Sequence, residues 1–357
     1  MALSLPATID KIDSLALYRA MQRIRRVEEH LMSEYAPAEQ MRCPMHFCVG
    51  QESTPAVLSF FVRQSDVMMS HYRSHGYYLG KGGSLTEMVA EFYGKANGSN
   101  GGLAGSMELG SHEYNFCSGA IVGGSMVIPL GAAFAQKYRG TNDISIAVMG
   151  DGSFDEGISY ESMNLAALYQ LPLLIVCENN KYAANTEVAK RLGRPELLPK
   201  VEAMGIKGSV VDGYDLPKLI ECLRTAIAAI RSGGGPRYIE VETYRFCAHV
   251  GPQPDNYLEY RTAQEISEQQ ARDPLGKLRA KLLSDPSNIS LMIHIDTEIE
   301  SEVISAIAAA KAAPFPALDW ALGTNWSNSY APVADGYFRD PQSAFQGGQK
   351  ETKLEPF

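Results

Sequence analysis

Residues 144–182 read ISIAVMGDGSFDEGISYESMNLAALYQLPLLIVCENNKY, and this stretch decides the fold. Two short apolar runs, at 144–149 and 173–177, have the length and composition of buried β-strands. Between them, residues 159–170 show a helical pattern. A strand, a helix and a second strand within about 30 residues predict a βαβ unit, in which the two strands are parallel and the helix crosses over one face of the sheet.

The same alternation extends along the chain. Residues 216–231 have a helical pattern closed by a run of glycines, and residues 237–244 are another strand-like run. Strands separated by helices predict an α/β fold with a doubly wound, mostly parallel sheet and helices on both faces. The segment 94–125 is rich in glycine and poor in periodicity, which predicts a long loop that is either functional or disordered. We expect one domain at 1–325 and, at 326–357, a C-terminal tail that is extended or contacts a partner.

Composition and charge narrow the class of protein. The chain has 357 residues, a formal net charge of −9 and no long basic run, so we expect it to bind neither nucleic acid nor an anionic membrane surface. No apolar stretch reaches the roughly 18–20 residues that span a bilayer, and the N-terminus has no signal-peptide pattern. The six cysteines include no CxxC pair, which favours reduced, buried thiols in a cytoplasmic protein.

Polar residues follow both strands of the first βαβ unit. Asp151 comes directly after the first strand and Asn180 follows the second, so both are expected at one edge of the sheet, where ligands bind in such folds. Their oxygens are ligands that Mg²⁺ accepts together with phosphate oxygens and water. Gly150 and Gly152 would let the backbone approach a phosphate group, and the next helix would point N–H groups at it. A plain strand-to-helix turn is the alternative for this segment.

Four further motifs occur in order along the chain: HFCVGQES at 46–53, HYRSHG at 71–76, AIVG at 120–123 and NLAAL at 164–168. Together with GDG and NN, they resemble the α subunit of the thiamine-diphosphate-dependent decarboxylating component of 2-oxo acid dehydrogenases, of the pyruvate, acetoin or branched-chain type. The resemblance covers residues 15–325. It implies an oxidoreductase that uses thiamine diphosphate and Mg²⁺.

The resemblance assigns the cofactor to particular residues of this chain. It implies that Mg²⁺ is bound by the side chains of Asp151 and Asn180 and by the backbone carbonyl of Tyr182. The diphosphate and the aminopyrimidine ring would be contacted by Tyr72, Arg73, Ala120, Ile121, Val122, Gly150, Gly152, Ser153, Asn180 and His249. Arg73 suits the diphosphate because its planar guanidinium makes bidentate, charge-assisted contacts.

Three histidines stand where the family has residues that line the cofactor cavity: His46, His75 and His249. The resemblance implies that they stabilise or protonate covalent intermediates, which suits imidazole because its pKa lies near operating pH. For His75, ordering of the surrounding loop is the alternative. The implied reaction is decarboxylation of a small 2-oxo acid with transfer of the acyl carbanion.

The resemblance also implies partners. The glutamate that activates the cofactor in this family comes from a separate β subunit. We therefore expect an active site between chains, in an α₂β₂ assembly. A lipoyl-bearing acyltransferase is the further partner that a dehydrogenase complex would supply.

Two segments depart from the family pattern near the predicted substrate. Glu108 stands where the family has a cavity histidine, and the alternative is that its side chain faces away from the cavity. Residues 245–261 lack the serines of the family's loop, and their prolines should restrict this segment. An enzyme that forms an acyloin, or transfers a two-carbon unit to a sugar or aldehyde acceptor, is therefore an alternative. A non-catalytic regulatory homologue is an alternative of another class, although the complete set of metal and phosphate residues counts against it.

Overall fold

A computed structural model describes residues 12–38, 40–41, 43–255 and 260–318 of the chain. The described residues up to Pro314 form one compact unit. Its strands are β1 (Val67–His71), β2 (Gly110–Ser111), β3 (Phe116–Gly119), β4 (Ser145–Gly150), β5 (Leu173–Asn179), β6 (Tyr182–Ala183), β7 (Thr186–Glu187), β8 (Lys207–Asp212) and β9 (Arg237–Glu242). Its helices are α1 (Ser14–Ala38), α2 (Ser53–Leu58), α3 (His75–Gly80), α4 (Leu85–Phe92), α5 (Gly124–Arg139), α6 (Gly157–Leu168), α7 (Val188–Arg191), α8 (Leu198–Glu202), α9 (Leu216–Arg231), α10 (Ala263–Gln270), α11 (Pro274–Leu283) and α12 (Ile289–Ala312).

Seven of the strands form one sheet in the order β2-β3-β1-β4-β5-β9-β8. Every neighbouring pair is parallel except β2 with β3. The remaining two strands, β6 and β7, form a separate antiparallel ribbon. The predicted mostly parallel sheet is therefore confirmed.

Both faces of the sheet are covered by helices, as predicted. Along β4, Ile146 and Val148 belong to a core that also holds buried residues of α1, α4, α9 and α12. The alternate residues Ala147 and Met149 belong to a second core with buried residues of α5 and α6. A central strand that alternates between two apolar cores has to be apolar at every position, which is why this strand stood out in the sequence.

The elements predicted between residues 144 and 244 lie where the sequence placed them, each to within two residues. Local signals explain the boundaries. For example, α9 begins after Asp215, whose side chain accepts the backbone N–H of Lys218 and so caps the helix.

Other expectations require correction or remain open. The segment 94–125 is not a continuous loop, because it contains β2 and β3 and the start of α5. Among the described residues, no helix combines the length and apolarity needed to cross a membrane. All six cysteines are free. The predicted boundary at 325 and the tail at 326–357 lie outside the described residues.

Candidate active site

The ends of β1 and β4 define the place where a ligand would bind. These strands are neighbours, and the sheet grows outward from them in opposite directions, with β3 beside β1 and β5 beside β4. A crevice opens at the carboxyl ends of such a pair. Arg73 follows β1, and Asp151 follows β4. Because Gly150 of β4 pairs with Glu178 of β5, Asn180 lies at the same edge of the sheet.

A cavity of about 460 Å³ occupies this edge, within the usual range for small-molecule sites. The predicted site residues that line it are His46, Tyr72, Arg73, Ala120, Ile121, Val122, Gly150, Asp151, Gly152, Ser153, Asn180, Tyr182 and His249. Residues from six separate stretches of sequence are thus brought together. His75 is the one predicted site residue outside this lining.

Arg73 is a buried cation on the wall of the cavity. It is 3% exposed, and its guanidinium donates hydrogen bonds to the carbonyl oxygens of Phe47 at 2.6 Å and His249 at 3.0 Å. Burial, followed by the nearby charge of Arg245, lowers its pKa. Within the described residues Arg73 forms no ion pair with a carboxylate, although buried charges normally have a partner. The side chain therefore fits a site that receives an anion.

The three residues predicted to hold Mg²⁺ lie on the opposite side of the crevice. Asp151 is 1% exposed, and burial raises its pKa to about 6 against the opposing effect of Arg191. Asn180 Oδ1 accepts the backbone N–H of Tyr182 at 3.2 Å. The described part of the chain holds no group of three or more His, Cys, Asp or Glu side chains suited to a metal. A metal here would therefore combine one carboxylate, one amide oxygen and one carbonyl with ligand oxygens, a donor set that fits Mg²⁺.

The two consecutive asparagines have different roles. Asn179 folds the turn after β5: its Nδ2 donates to Glu240 at 2.7 Å, and its Oδ1 accepts the backbone N–H of Lys181 at 3.0 Å. Lys181 has a positive φ of 73°, which is unfavourable for a residue with a side chain, so the hydrogen bonds of Asn179 help to stabilise this turn. Asn180 is left to line the cavity.

Gly152 and Gly150 are glycines for different reasons. A Cβ at Gly152 would lie 3.0 Å from the Cβ of Ala183, so glycine lets the segments that follow β4 and β5 approach each other. A Cβ at Gly150 would meet no protein atom within 4 Å. Packing within the chain therefore does not require glycine at position 150, which agrees with the predicted approach of a ligand.

Two histidines and a tyrosine form an aromatic group on the cavity wall. The ring of His46 lies 4.5 Å from that of Tyr72 and 5.1 Å from that of His249, between ring centres. Burial, and then the charge of Arg73, lower the pKa of His46 to about 2 and that of His249 to about 3. Both imidazoles are therefore neutral at physiological pH. The Nδ1 atom of His46 is buried and has no hydrogen-bond partner among the described residues.

His75 has a different environment from the one predicted. It is fully buried, with its Nδ1 2.7 Å from Glu28 Oε1 and its Nε2 2.7 Å from Ser106 Oγ. Glu28 also accepts the backbone N–H of Cys48 at 2.6 Å. His75 thus joins three separate segments, which supports the alternative that it orders the surrounding loop.

Sequence reasoning missed several polar residues of the cavity wall, among them Gln51, His71 and Glu178. Glu178 is 2% exposed and accepts hydrogen bonds from His71 Nε2 at 3.1 Å and Gln51 Nε2 at 3.2 Å. Its other carboxylate oxygen is buried without a partner. The available signal was position, since His71 ends β1 and Glu178 is the next-to-last residue of β5.

The two segments that depart from the family pattern behave differently. Glu108 is exposed and does not line the cavity. Asp255 is 1% exposed and forms ion pairs with Arg245 at 3.3 Å and with Arg261. These contacts anchor both ends of the loop, of which residues 256–259 lie outside the described part of the chain.

Fold and site together define a doubly wound α/β protein with a small-molecule cavity at the switch point of its sheet. The model of the dehydrogenase E1 component family matches residues 19–319, so the chain belongs to that family. It is 34% identical to the pyruvate dehydrogenase E1 component subunit alpha, somatic form, mitochondrial, of Sus scrofa, over 86% of this chain and 78% of that one.

Bacterial and plant proteins give the same result. Identity is 33% to the pyruvate dehydrogenase E1 component subunit alpha of Rhizobium meliloti (strain 1021), over 87% of this chain and 89% of the relative. Identity is 32% to the pyruvate dehydrogenase E1 component subunit alpha-3, chloroplastic, of Arabidopsis thaliana, over 95% of this chain and 81% of the relative. The predicted resemblance is confirmed: the chain is an α subunit of the thiamine-diphosphate-dependent 2-oxo acid dehydrogenase type.

Proposed function

We propose that this chain binds Mg²⁺ and the diphosphate of thiamine diphosphate in the cavity at the ends of β1, β4 and β5, and that it decarboxylates a small 2-oxo acid together with a β subunit. The observation that carries the proposal is the buried guanidinium of Arg73, which lines the cavity and pairs with no carboxylate in the described part of the chain. The names of the relatives make pyruvate the first acid to test. The expected cytoplasmic location stays a prediction.

Different residues of the cavity would bind different parts of the cofactor. Asp151, Asn180 and the carbonyl of Tyr182 would hold Mg²⁺. Arg73, with the backbone of Gly152 and the side chain of Ser153, would hold the diphosphate. Tyr72 and the backbone of Gly150 would contact the same diphosphate end, and Ala120, Ile121 and Val122 would contact the aminopyrimidine ring. When bound, thiamine diphosphate supplies the electron sink for decarboxylation.

The two neutral histidines fit a hydrogen-bonding role in this chemistry. A neutral imidazole can donate a hydrogen bond from one ring nitrogen and accept one at the other. The buried Nδ1 of His46, which has no partner among the described residues, would form a hydrogen bond with the substrate or cofactor. His249 lies beside it and would act on the same side of the cavity. A pKa as low as about 3 in His249 makes it a poor general base, until a bound anion raises that pKa.

An exposed apolar surface beside the cavity supports a partner subunit. It is formed by Ile121, Ile128, Phe134 and Tyr138 of the segment leading into and along α5, and by Leu168 and Tyr169 at the end of α6. Ile121 is 75% exposed although it lines the cavity, and Tyr138 is 84% exposed. Exposed apolar surface of this kind marks a contact with another chain. The proposed partners are a β subunit that supplies the activating glutamate, in an α₂β₂ assembly, and a lipoyl-bearing acyltransferase.

One of the observations that favoured transfer of the acyl group to an aldehyde or sugar acceptor does not hold in the structure. That alternative depended partly on Glu108 near the substrate, and Glu108 is exposed and outside the cavity lining. The oxidative reaction therefore stands as the proposal.

The test is turnover by this chain co-expressed with its β subunit. Thiamine diphosphate, Mg²⁺ and a panel of 2-oxo acids would be supplied, and reduction of an artificial electron acceptor would be followed. We expect reduction with one acid, beginning with pyruvate, and none with either subunit alone. Release of carbon dioxide without dye reduction would instead favour an aldehyde acceptor. Turnover by the α chain alone would contradict the shared active site.

A further inference from the structure

Arg191 makes an unusual set of contacts beside the predicted metal site. It ends the short helix α7, and its side chain is only 10% exposed. One guanidinium nitrogen lies 2.5 Å from Asp151 Oδ2, a second contacts Asp155, and Nε donates to the carbonyl of Thr186 at 3.2 Å. The guanidinium thus bridges two carboxylates and is fixed from a third direction. Sequence reasoning assigned this arginine no role.

The charges around the cavity explain why such a bridge matters. The carboxylates of Asp151, Asp155, Glu156 and Glu178 line it, against the single guanidinium of Arg73. An excess of negative charge attracts a free divalent cation but repels the diphosphate group, which keeps a negative charge even with a divalent metal bound. Arg191 neutralises two of these carboxylates, and one of them is Asp151.

We propose that Arg191 is a positioning residue that makes the site select a metal–diphosphate over the free metal. It holds Asp151 through Oδ2, which leaves Oδ1 to face a metal. Its charge lowers the attraction for a metal alone and reduces the repulsion of the diphosphate. This inference rests on the metal site of the proposed function and deepens it, because it makes metal and diphosphate enter together.

The inference gives two effects of opposite sign in the Arg191→Gln variant. Affinity for a free divalent metal should rise about threefold to tenfold, because two carboxylates lose their counter-charge. Affinity for thiamine diphosphate at saturating Mg²⁺ should fall about tenfold, because the diphosphate now meets uncompensated negative charge. Loosening of the fold would weaken both kinds of binding, so the opposite signs separate the electrostatic role from a structural one.

The experiment uses the full-length chain co-purified with its β subunit. Free Mn²⁺ would be measured by electron paramagnetic resonance without cofactor, and binding of thiamine diphosphate by calorimetry with Mg²⁺. Lys190→Gln is the matched control, since it removes the same charge from the neighbouring position, where the side chain is 74% exposed and lies 3.9 Å from Glu187. Arg191→Lys keeps the charge but cannot bridge both carboxylates. We expect it to bind Mn²⁺ like the wild type and thiamine diphosphate with intermediate affinity.

The outcomes test the role of Arg191 and the proposed metal site separately. If Arg191→Gln equals Lys190→Gln in both assays, or weakens both kinds of binding, the role of Arg191 is wrong. The metal site itself is tested separately with Asp151→Asn. If that variant binds Mn²⁺ and thiamine diphosphate as the wild type does, the proposed function fails, whatever Arg191 does.

Discussion

Glu178 and His71 meet at the wall of the cavity, where the glutamate Oε2 accepts a hydrogen bond from the imidazole Nε2 at 3.1 Å. The Nδ1 of the same ring accepts the backbone N–H of Arg73, also at 3.1 Å. Since Nδ1 is an acceptor, the ring proton belongs on Nε2. A buried carboxylate thus orients the ring that supports the backbone of the proposed anion-binding arginine.

Loss of this support should weaken binding of the cofactor. Replacing His71 with Ala removes a hydrogen bond from the backbone of Arg73 and leaves Glu178 with one fewer donor. We predict an affinity for thiamine diphosphate about tenfold lower, the effect of one such hydrogen bond. Calorimetric titration measures it, with His294→Ala on the exposed face of α12 as the control. Equal affinity in the two variants would show that His71 does not position Arg73.

Arg73 should be needed for binding more than for folding. Replacing it with Met removes a buried charge without a carboxylate partner, so the cost of its desolvation disappears with it. We predict that affinity for thiamine diphosphate falls at least about 100-fold, while the melting temperature of the cofactor-free protein stays the same or rises. Arg19→Met, at a half-exposed pair with Glu298, is the control. If Arg73→Met bound thiamine diphosphate like the wild type but melted at a much lower temperature, the binding role of Arg73 would be wrong.

The buried histidines predict how stability depends on pH. The pKa of His46 is lowered to about 2 and that of His249 to about 3. The pKa of an imidazole in the unfolded chain is about 6.5. The unfolded chain therefore binds more protons between these values. The contribution of each histidine is complete above about pH 6.5 and is lost as the pH falls towards its folded pKa.

Replacing both His46 and His249 with Gln should therefore reduce the loss of unfolding free energy as the pH falls below about 6.5. Each native histidine contributes a slope of up to about 1.4 kcal/mol per pH unit. Urea unfolding at pH 7, 6, 5 and 4 measures the slope, with His294→Gln as the control. A double variant that keeps the wild-type slope would mean that the two imidazoles titrate normally.

Asp255 should stabilise both the fold and the proposed metal ligand. It pairs with Arg245 and Arg261, each 1% exposed. Arg245 also donates to the carbonyl of Ala184 at 2.9 Å, and Arg261 lies against the ring of Tyr182. Replacing Asp255 with Ala leaves two buried guanidinium groups without their carboxylate, which should cost about 3–5 kcal/mol.

The measurement for this variant combines denaturant unfolding with cofactor titration. We expect weaker binding as well as lower stability, because the turn around Tyr182 loses its anchor. Asp285→Ala, at an exposed turn before α12, is the control. Full stability and full affinity in Asp255→Ala would contradict the anchoring role.

Much of this fold could be predicted from the sequence because its central strands are buried on both faces. An unbroken apolar run such as 173–177 is easily recognised, and the GDG and NN segments follow directly from strand ends. The short strand β3 was missed for the opposite reason. Its four residues gain their stability from pairing with β1, which is distant in sequence, and not from a local pattern.

The same distinction applies to the site. Asp151 and Asn180 were predicted because motif and strand end coincide. Arg191 was not, since its significance comes from contacts 36 and 40 positions away that no local pattern encodes. For His75, a motif position indicated the cavity, whereas its full burial against Glu28 supports the alternative that it orders the surrounding loop.

Binding of metal and diphosphate at Asp151 is tested most directly by calorimetric titration of the α–β complex with thiamine diphosphate, with and without Mg²⁺. Wild-type protein should bind only weakly without Mg²⁺ and tightly with it. Asp151→Asn should lose this dependence on Mg²⁺, whereas Asp143→Asn, before the other end of β4, should keep it. Equal binding with and without Mg²⁺, or an Asp151→Asn variant that behaves like the wild type, would contradict the assignment.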